Sequence, residues 1–193
     1  MIRLYLIFSP FNEIKESNLT DISFDQLTDN MNYLYQVFVN TIRATGGNNS
    51  HRNLMLTTFA ATANNEYLES FQLPTDTTYN HLLAECHVYD PVRFTFNEIN
   101  LGSSDFVYEW GSKEDKKQLD EIFSCLNKFV KRTKVPMIIG EFGAVRRTSL
   151  SERLEYFEYF KKKADKYKMG LVIFDDSVAF VTINRETYEF VDE

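Results

Sequence analysis

Five short apolar runs, separated by longer amphipathic stretches, follow one another along nearly the whole chain. Runs of four to eight apolar residues are typical of strands buried on both faces of a parallel sheet. The runs cover residues 2–8, 53–58, 82–89, 135–141 and 170–174. The stretches between them repeat apolar residues at helical spacing and predict helices over 25–44, 113–132 and 151–164. Strands that alternate with helices predict a single α/β domain over residues 1–193.

Two of these strands deliver a glutamate at their carboxyl end. Glu141 lies in the segment 136–143, Pro-Met-Ile-Ile-Gly-Glu-Phe-Gly, and Glu13 follows the run 2–8 after Pro-Phe-Asn. The carboxyl ends of parallel strands share one edge of a sheet, where catalytic residues of (β/α) barrels lie. Paired carboxylates at such an edge suggest acid–base or nucleophilic chemistry. Taken singly, an Asn-Glu dipeptide is common, so the hypothesis depends on the ordered set.

A third strand ends in His87-Val-Tyr89, and the ordered set then resembles a known family. Together with Asn12-Glu13 and the Gly-Glu-Phe-Gly of 140–143, this motif is similar to those of glycoside hydrolase family 5, the cellulase family. Its members are retaining β-glycosidases built on (β/α)8 barrels. Further similar segments are 42–49, 87–91, 110–112 and 135–141. The resemblance runs over about residues 5–190.

The resemblance implies a role for each residue of the set. A retaining glycosidase needs two carboxyl groups about 5–5.5 Å apart, one attacking the anomeric carbon and one serving as acid and then base. Glu141 matches the family nucleophile and Glu13 the acid/base. Asn12 matches the asparagine that bonds the hydroxyl beside the reacting carbon. His87 and Tyr89 would share one face of their strand, with the tyrosine hydroxyl holding the nucleophile ionised and oriented. The family uses no metal or other cofactor here.

Aromatic residues predict a sugar-binding surface, because sugar rings present apolar C–H faces. Trp110, the only tryptophan, is predicted to contact substrate. Phe94 and Phe96 either line the cleft or anchor a long loop. Where the family has a tryptophan after its last strand, this chain has Phe174, which is predicted to replace the stacking surface with less area. Asp175 and Asp176 follow it and are expected to end the strand.

The alignment with the family starts at about the fourth barrel strand. We therefore expect an incomplete TIM-type (β/α) barrel with about five βα units, the first three being absent. The chain has 193 residues, against roughly 250 for a complete barrel. Open sheet edges recruit other strands. We expect a homo-oligomer, a complementing N-terminal fragment, or the tail 180–190 folded back as cover.

The sequence is compatible with two kinds of function. The first is a cellulase-type endo-β-1,4-glucanase acting on β-1,4-linked glucan or a related plant polysaccharide. The alternative is a catalytically impaired carbohydrate-binding remnant or a truncated gene product, because the absent units normally supply an arginine, a histidine and part of the cleft wall. The glycan (cellulose, xyloglucan, mannan or lichenan) is left open by the sequence.

Charge and hydropathy exclude other partners. The net charge is −7 and no basic stripe offsets it, so no nucleic-acid partner is expected. No run approaches the roughly 20 apolar residues of a membrane span, so no association with a membrane is expected. The first eight residues are too short for a signal peptide and lack a small-residue cleavage site. Family members are mostly secreted, which the resemblance implies for this protein.

Overall fold

The computed structural model describes residues 6–14, 22–97 and 108–191. Within them, four parallel strands form one sheet in the order β1-β2-β3-β4. The strands are β1 (Leu54–Thr57), β2 (Leu82–His87), β3 (Met137–Phe142) and β4 (Gly170–Ile173). The helices are α1 (Phe24–Ala44), α2 (Asn65–Ser70), α3 (Val92–Thr95), α4 (Lys113–Thr133) and α5 (Leu150–Tyr167). The predicted α/β alternation is confirmed.

The predicted first strand is only partly within the described residues. Its residues 2–5 lie outside them, and Phe8 makes a single parallel bridge with Leu54 of β1. The ladder stops there because Pro10, two residues further, has no N–H to donate to β1. The other four predicted strands and the three predicted helices are present with shifts of one to three residues at most ends. Two short helices, α2 and α3, were not predicted.

Residue contacts divide the chain into two compact units. The first unit is Met1–Cys86 with Cys125–Ile138, and the second is His87–Ser124 with Ile139–Glu193. Strands β2 and β3 and helix α4 each pass from one unit into the other. The single domain over 1–193 stays a prediction.

The first unit is built on α1 and β1. Ser23 caps α1, its hydroxyl accepting from the Gln26 amide while the Gln26 side chain accepts from the Ser23 amide. Tyr35 of α1 is 1% exposed and packs on the rings of Phe11 and Phe71 at 5.8 and 5.7 Å.

A buried ion pair connects the end of α1 to two segments that follow it in the chain. The Arg43 guanidinium donates to both carboxylate oxygens of Asp76 at 2.8 and 2.7 Å, and to the carbonyls of Asn49 and Arg52. Both side chains are buried. Burial raises the pKa of Asp76, but the hydrogen bonds from Arg43 and the Thr78 amide outweigh it, so the pKa lies below its usual value.

The second unit packs α5 on the end of β3. Phe142 stacks on Phe160 of α5 with ring centres 4.5 Å apart, and Phe123 of α4 meets Phe160 edge-on. Ser149 caps α5, its hydroxyl accepting from the Glu152 amide. Among the described residues, no helix combines the length and apolar character needed to cross a membrane.

Candidate active site

The predicted nucleophile, Glu141, lies on β3 with two predicted neighbours around its carboxylate. The Tyr89 hydroxyl donates to Glu141 Oε2 at 2.8 Å. His87 Nδ1 lies 3.4 Å from the same oxygen. The side chain of His87 is 4% exposed and that of Glu141 is 23% exposed, so the carboxylate is reachable from solvent while the imidazole is not. The structure therefore brings these three side chains together.

The local backbone explains this convergence. The Val88 amide donates to the Glu141 carbonyl at 2.9 Å, which aligns the end of β2 with the end of β3. His87 and Tyr89 flank Val88, and alternate residues of an extended chain project to the same side. Both side chains therefore turn to Glu141; the His-x-Tyr spacing predicts their shared face, and the family resemblance implied the contact with Glu141. A hydrogen bond from a phenol to a carboxylate fixes the orientation of the carboxylate oxygens.

Aromatic rings extend this site on the side of β4. The Phe174 amide donates to the Phe142 carbonyl at 2.9 Å, which sets Phe174 beside the residue that follows Glu141. Its ring meets Tyr89 edge-on at 6.0 Å and Phe180 at 5.4 Å. Phe174 is partly exposed, whereas Phe180 is 5% exposed beneath the cluster. A partly exposed ring next to the Glu141 carboxylate could offer a surface for the apolar face of a sugar.

A glycine makes room for this cluster. A Cβ on Gly143 would lie 3.0 Å from Cδ1 of Phe180 and 3.5 Å from the Phe174 carbonyl oxygen. Any side chain at this position would push into the phenylalanine beneath the site. The glycine that closes the Gly-Glu-Phe-Gly segment is thus explained by packing.

The two aspartates after Phe174 organise the loop behind it. Asp175 accepts from the amides of Thr182, Ile183 and Ser177, and Asp176 accepts from those of Val178, Ala179 and Phe180. The hydrogen bond from the Thr182 amide leads those that lower the pKa of Asp175 to about 2. The sequence indicated only that this pair ends the strand. The sequence did not indicate that Asp175 and Asp176 also hold the following loop and Phe180, because the amides that donate to them lie up to eight residues further along the chain.

Asn12 and Glu13, the other predicted site pair, belong to the first unit. They follow the Phe8 bridge on a segment without regular secondary structure, with Asn12 exposed and Glu13 partly buried. The carbonyl of Phe11, directly before them, accepts from the Thr57 hydroxyl at 3.0 Å. The segment is therefore attached to the end of β1 by a side chain. Its roles in substrate and proton chemistry stay predictions.

Trp110 is placed differently from the sequence expectation. It is 7% exposed, and its ring packs on Phe94, Tyr156 and Tyr159 at 5.1 to 5.8 Å. Two of these partners are α5 residues, so the indole belongs to the packing of the helical layer. Little of its face is left for a sugar, and among the described contacts none joins it to Glu141. Phe94 is fully buried against Trp110 and Tyr156, so it does not line a cleft.

Comparison with known proteins identifies related enzymes. The sequence profile of the family described as Cellulase (glycosyl hydrolase family 5) matches residues 3–170. The chain is 34% identical over 168 residues to Endoglucanase B of Neocallimastix patriciarum, covering 83% of this chain and 33% of that protein. It is 37% identical over 155 residues to Endoglucanase A of Clostridium longisporum, covering 76% of this chain and 28% of that protein.

Solved structures agree with these sequence relatives. A broad specificity endoglucanase from Ruminococcus champanellensis with bound cellotriose superposes with a TM-score of 0.79 at 31% identity. The match covers 96% of this chain and 54% of that one. The chain thus spans about half of this solved relative, as an incomplete (β/α) barrel would, and about a third of the curated relatives.

Proposed function

Because this chain belongs to glycosyl hydrolase family 5, the cellulase family, we propose that it is a retaining β-glycosidase of endo-β-1,4-glucanase type. The observation that carries the proposal is the Glu141 carboxylate held by the Tyr89 hydroxyl at the carboxyl end of β3. An oriented, partly exposed carboxylate beside a partly exposed aromatic ring has the elements of a sugar-cleaving site. The activity is proposed for a chain that spans only part of its relatives.

The proposed reaction is a double displacement. Glu141 attacks the anomeric carbon while Glu13 protonates the leaving oxygen, and a covalent glycosyl-enzyme forms. Glu13 then takes a proton from water, which attacks the same carbon and frees Glu141. Asn12 bonds the sugar hydroxyl next to the reacting carbon, a contact that strengthens in the transition state. His87 and Tyr89 keep Glu141 in its attacking orientation.

The proposed substrate is a β-1,4-linked glucan or a related plant polysaccharide. The Ruminococcus champanellensis relative was solved with cellotriose. In this chain Phe174 would support the sugar at the cleavage point, and Trp110, being buried, is not assigned to it. Polysaccharides of this kind are too large to enter cells, so we also propose that the protein acts outside the cell.

The second unit has an exposed apolar edge strand, which is a candidate site of association with another chain. Val172 and Ile173 of β4 are 51% and 47% exposed. The tail forms a small hairpin through the antiparallel bridge between Ile183 and Phe190, and it leaves these two side chains open to solvent. We propose that a second copy of the chain or a complementing N-terminal fragment covers this edge. Light scattering should show a species larger than 22.7 kDa; a monomer at high concentration would contradict self-association.

The decisive test traps the covalent intermediate. The chain is incubated with a 2-deoxy-2-fluoro-β-cellobioside that carries a good leaving group, and its intact mass is measured. Fluorine slows the second displacement, so a working nucleophile accumulates as an adduct. We expect the adduct on the parent chain and none on Glu141→Gln. A folded parent chain that gains no mass would instead support the carbohydrate-binding remnant or the truncated product.

A further inference from the structure

We propose that Thr57 is a positioning residue for Glu13, acting through the backbone of Phe11. The inference rests on the proposed function, in which Glu13 is the acid/base. It starts from how the segment before Glu13 is attached to the sheet. Thr57 is the last residue of β1 and is 1% exposed.

The segment runs beside β1 in a register that the hydrogen bonds define. The Phe8 amide donates to the Asn53 carbonyl at 3.3 Å, and the Met55 amide donates to the Phe8 carbonyl at 2.9 Å. In a parallel ladder the next amide to donate would be that of residue 10. Residue 10 is proline and has no N–H, so this rung cannot form. Backbone pairing alone therefore leaves the chain beyond Phe8 weakly attached.

One residue after Pro10, the Thr57 hydroxyl provides the attachment to the sheet that the backbone cannot. Phe8 is bridged to Leu54, and three residues further along each chain Phe11 is bonded to Thr57. The hydroxyl lies 3.0 Å from the Phe11 carbonyl oxygen. Ser9 also donates to this carbonyl, at 3.2 Å, but that contact is local to the segment and exposed. Of these two donors, only Thr57 ties Phe11 to the sheet.

The other contacts of Thr57 fix the hydroxyl in place. Its oxygen also lies 3.0 Å from Oε2 of Glu85, the residue opposite it on β2, so its one hydrogen faces two acceptors. The Thr57 carbonyl accepts from the hydroxyl of Tyr35, which in turn packs on Phe11. Tyr35 thus holds the backbone of Thr57, two acceptors hold its hydroxyl, and β-branching restricts its χ1 angle. The anchor is thus rigid, and Glu13 follows it by two residues.

A misplaced acid/base has a kinetic signature that a general loss of stability lacks. Protonation matters for cleavage of a sugar leaving group, whereas a dinitrophenolate leaves without a proton. We therefore compare kcat/KM on cellotetraose and on dinitrophenyl β-cellobioside, since kcat/KM reports the steps up to the first bond cleavage. Thr57→Val keeps the shape and removes the hydroxyl, and Thr57→Ser keeps the hydroxyl. Thr58→Val is the matched control, because Thr58 is equally buried and its hydroxyl donates to the Thr62 carbonyl.

The expected result is a loss that depends on the leaving group. Thr57→Val should lower kcat/KM on cellotetraose about tenfold and on the dinitrophenyl substrate less than about twofold. Thr57→Ser should stay within about twofold of the parent on both, and Thr58→Val should change both alike. Equal losses on both substrates for Thr57→Val, or none, would overturn the role of Thr57. A folded parent chain that cleaves neither substrate would instead refute the proposed function.

Discussion

The hydrogen bond between Tyr89 and Glu141 makes the sharpest prediction about catalysis. Tyr89→Phe removes one oxygen and keeps the ring, which packs on Phe96, Phe174 and Phe180. The bond spans 2.8 Å and ends on a carboxylate, and such charge-assisted bonds are worth about 1.5–3 kcal/mol. Because Glu141 is 23% exposed, water can replace part of the bond, and we take about 2 kcal/mol. That energy corresponds to a loss of about 30-fold in the rate of nucleophilic attack.

The assay follows the first displacement alone. The rate constant for inactivation by the fluorinated cellobioside, read by intact mass against time, reports attack by Glu141. Tyr159→Phe is the matched control, because the Tyr159 hydroxyl also donates to a carboxylate, that of Asp120, at 2.9 Å. We expect the control to react at the parent rate. If Tyr89→Phe is folded and reacts within about twofold of the parent, the hydrogen bond does not orient the nucleophile and the reasoning fails.

Three further predictions concern stability and binding. Asp76→Asn breaks the buried pair with Arg43 and should lower the free energy of unfolding by about 3–5 kcal/mol, measured by urea titration; a loss under 1 kcal/mol would contradict this. Asp175 has a pKa of about 2 in the folded chain, below its unfolded value of about 4. The contribution of Asp175 to the free energy of unfolding is therefore complete above pH 4 and disappears as the pH falls through 2. Asp175→Asn should reduce the fall in melting temperature between pH 4 and pH 2. An unchanged fall would contradict this. Phe174→Ala should weaken cellotriose binding to the Glu141→Gln chain about fivefold by calorimetry, and Phe174→Trp should not; equal affinities would remove Phe174 from the sugar surface.

The parts of the fold and site that depend on local pattern could be predicted from the sequence. The strands are short apolar runs with glycine or polar residues at their ends, and the carboxyl end of β3 presents Glu141 wherever the sheet is parallel. The two-residue period of an extended chain predicts only that His87 and Tyr89 share one face. The contact of Tyr89 with Glu141, 52 residues further along the chain, was expected from the family resemblance. The strands and helices themselves are set by neighbours in the sequence, so their prediction requires no knowledge of distant contacts.

Trp110 and Thr57 show where such reasoning stops. The sequence places a single tryptophan in a loop after the His-x-Tyr motif, but its burial depends on α5, some forty residues later. The role of Thr57 becomes visible only once Phe8 is known to lie beside Leu54, because the missing rung at Pro10 has meaning only in that register. Both facts come from contacts between distant segments, which apolar periodicity does not record.

The close approach of Gly143 to Phe180 has a consequence for how this sequence can vary. Gly143 directly follows the strand that carries Glu141 and lies against the loop held by Asp175 and Asp176, where a Cβ would lie 3.0 Å from the Phe180 ring. A larger residue at 143 requires the Phe180 ring to shift, and a smaller residue at 180 would relieve this crowding. In a library randomised at both positions and selected for folding, survivors should show paired changes. The two positions should likewise covary through evolution.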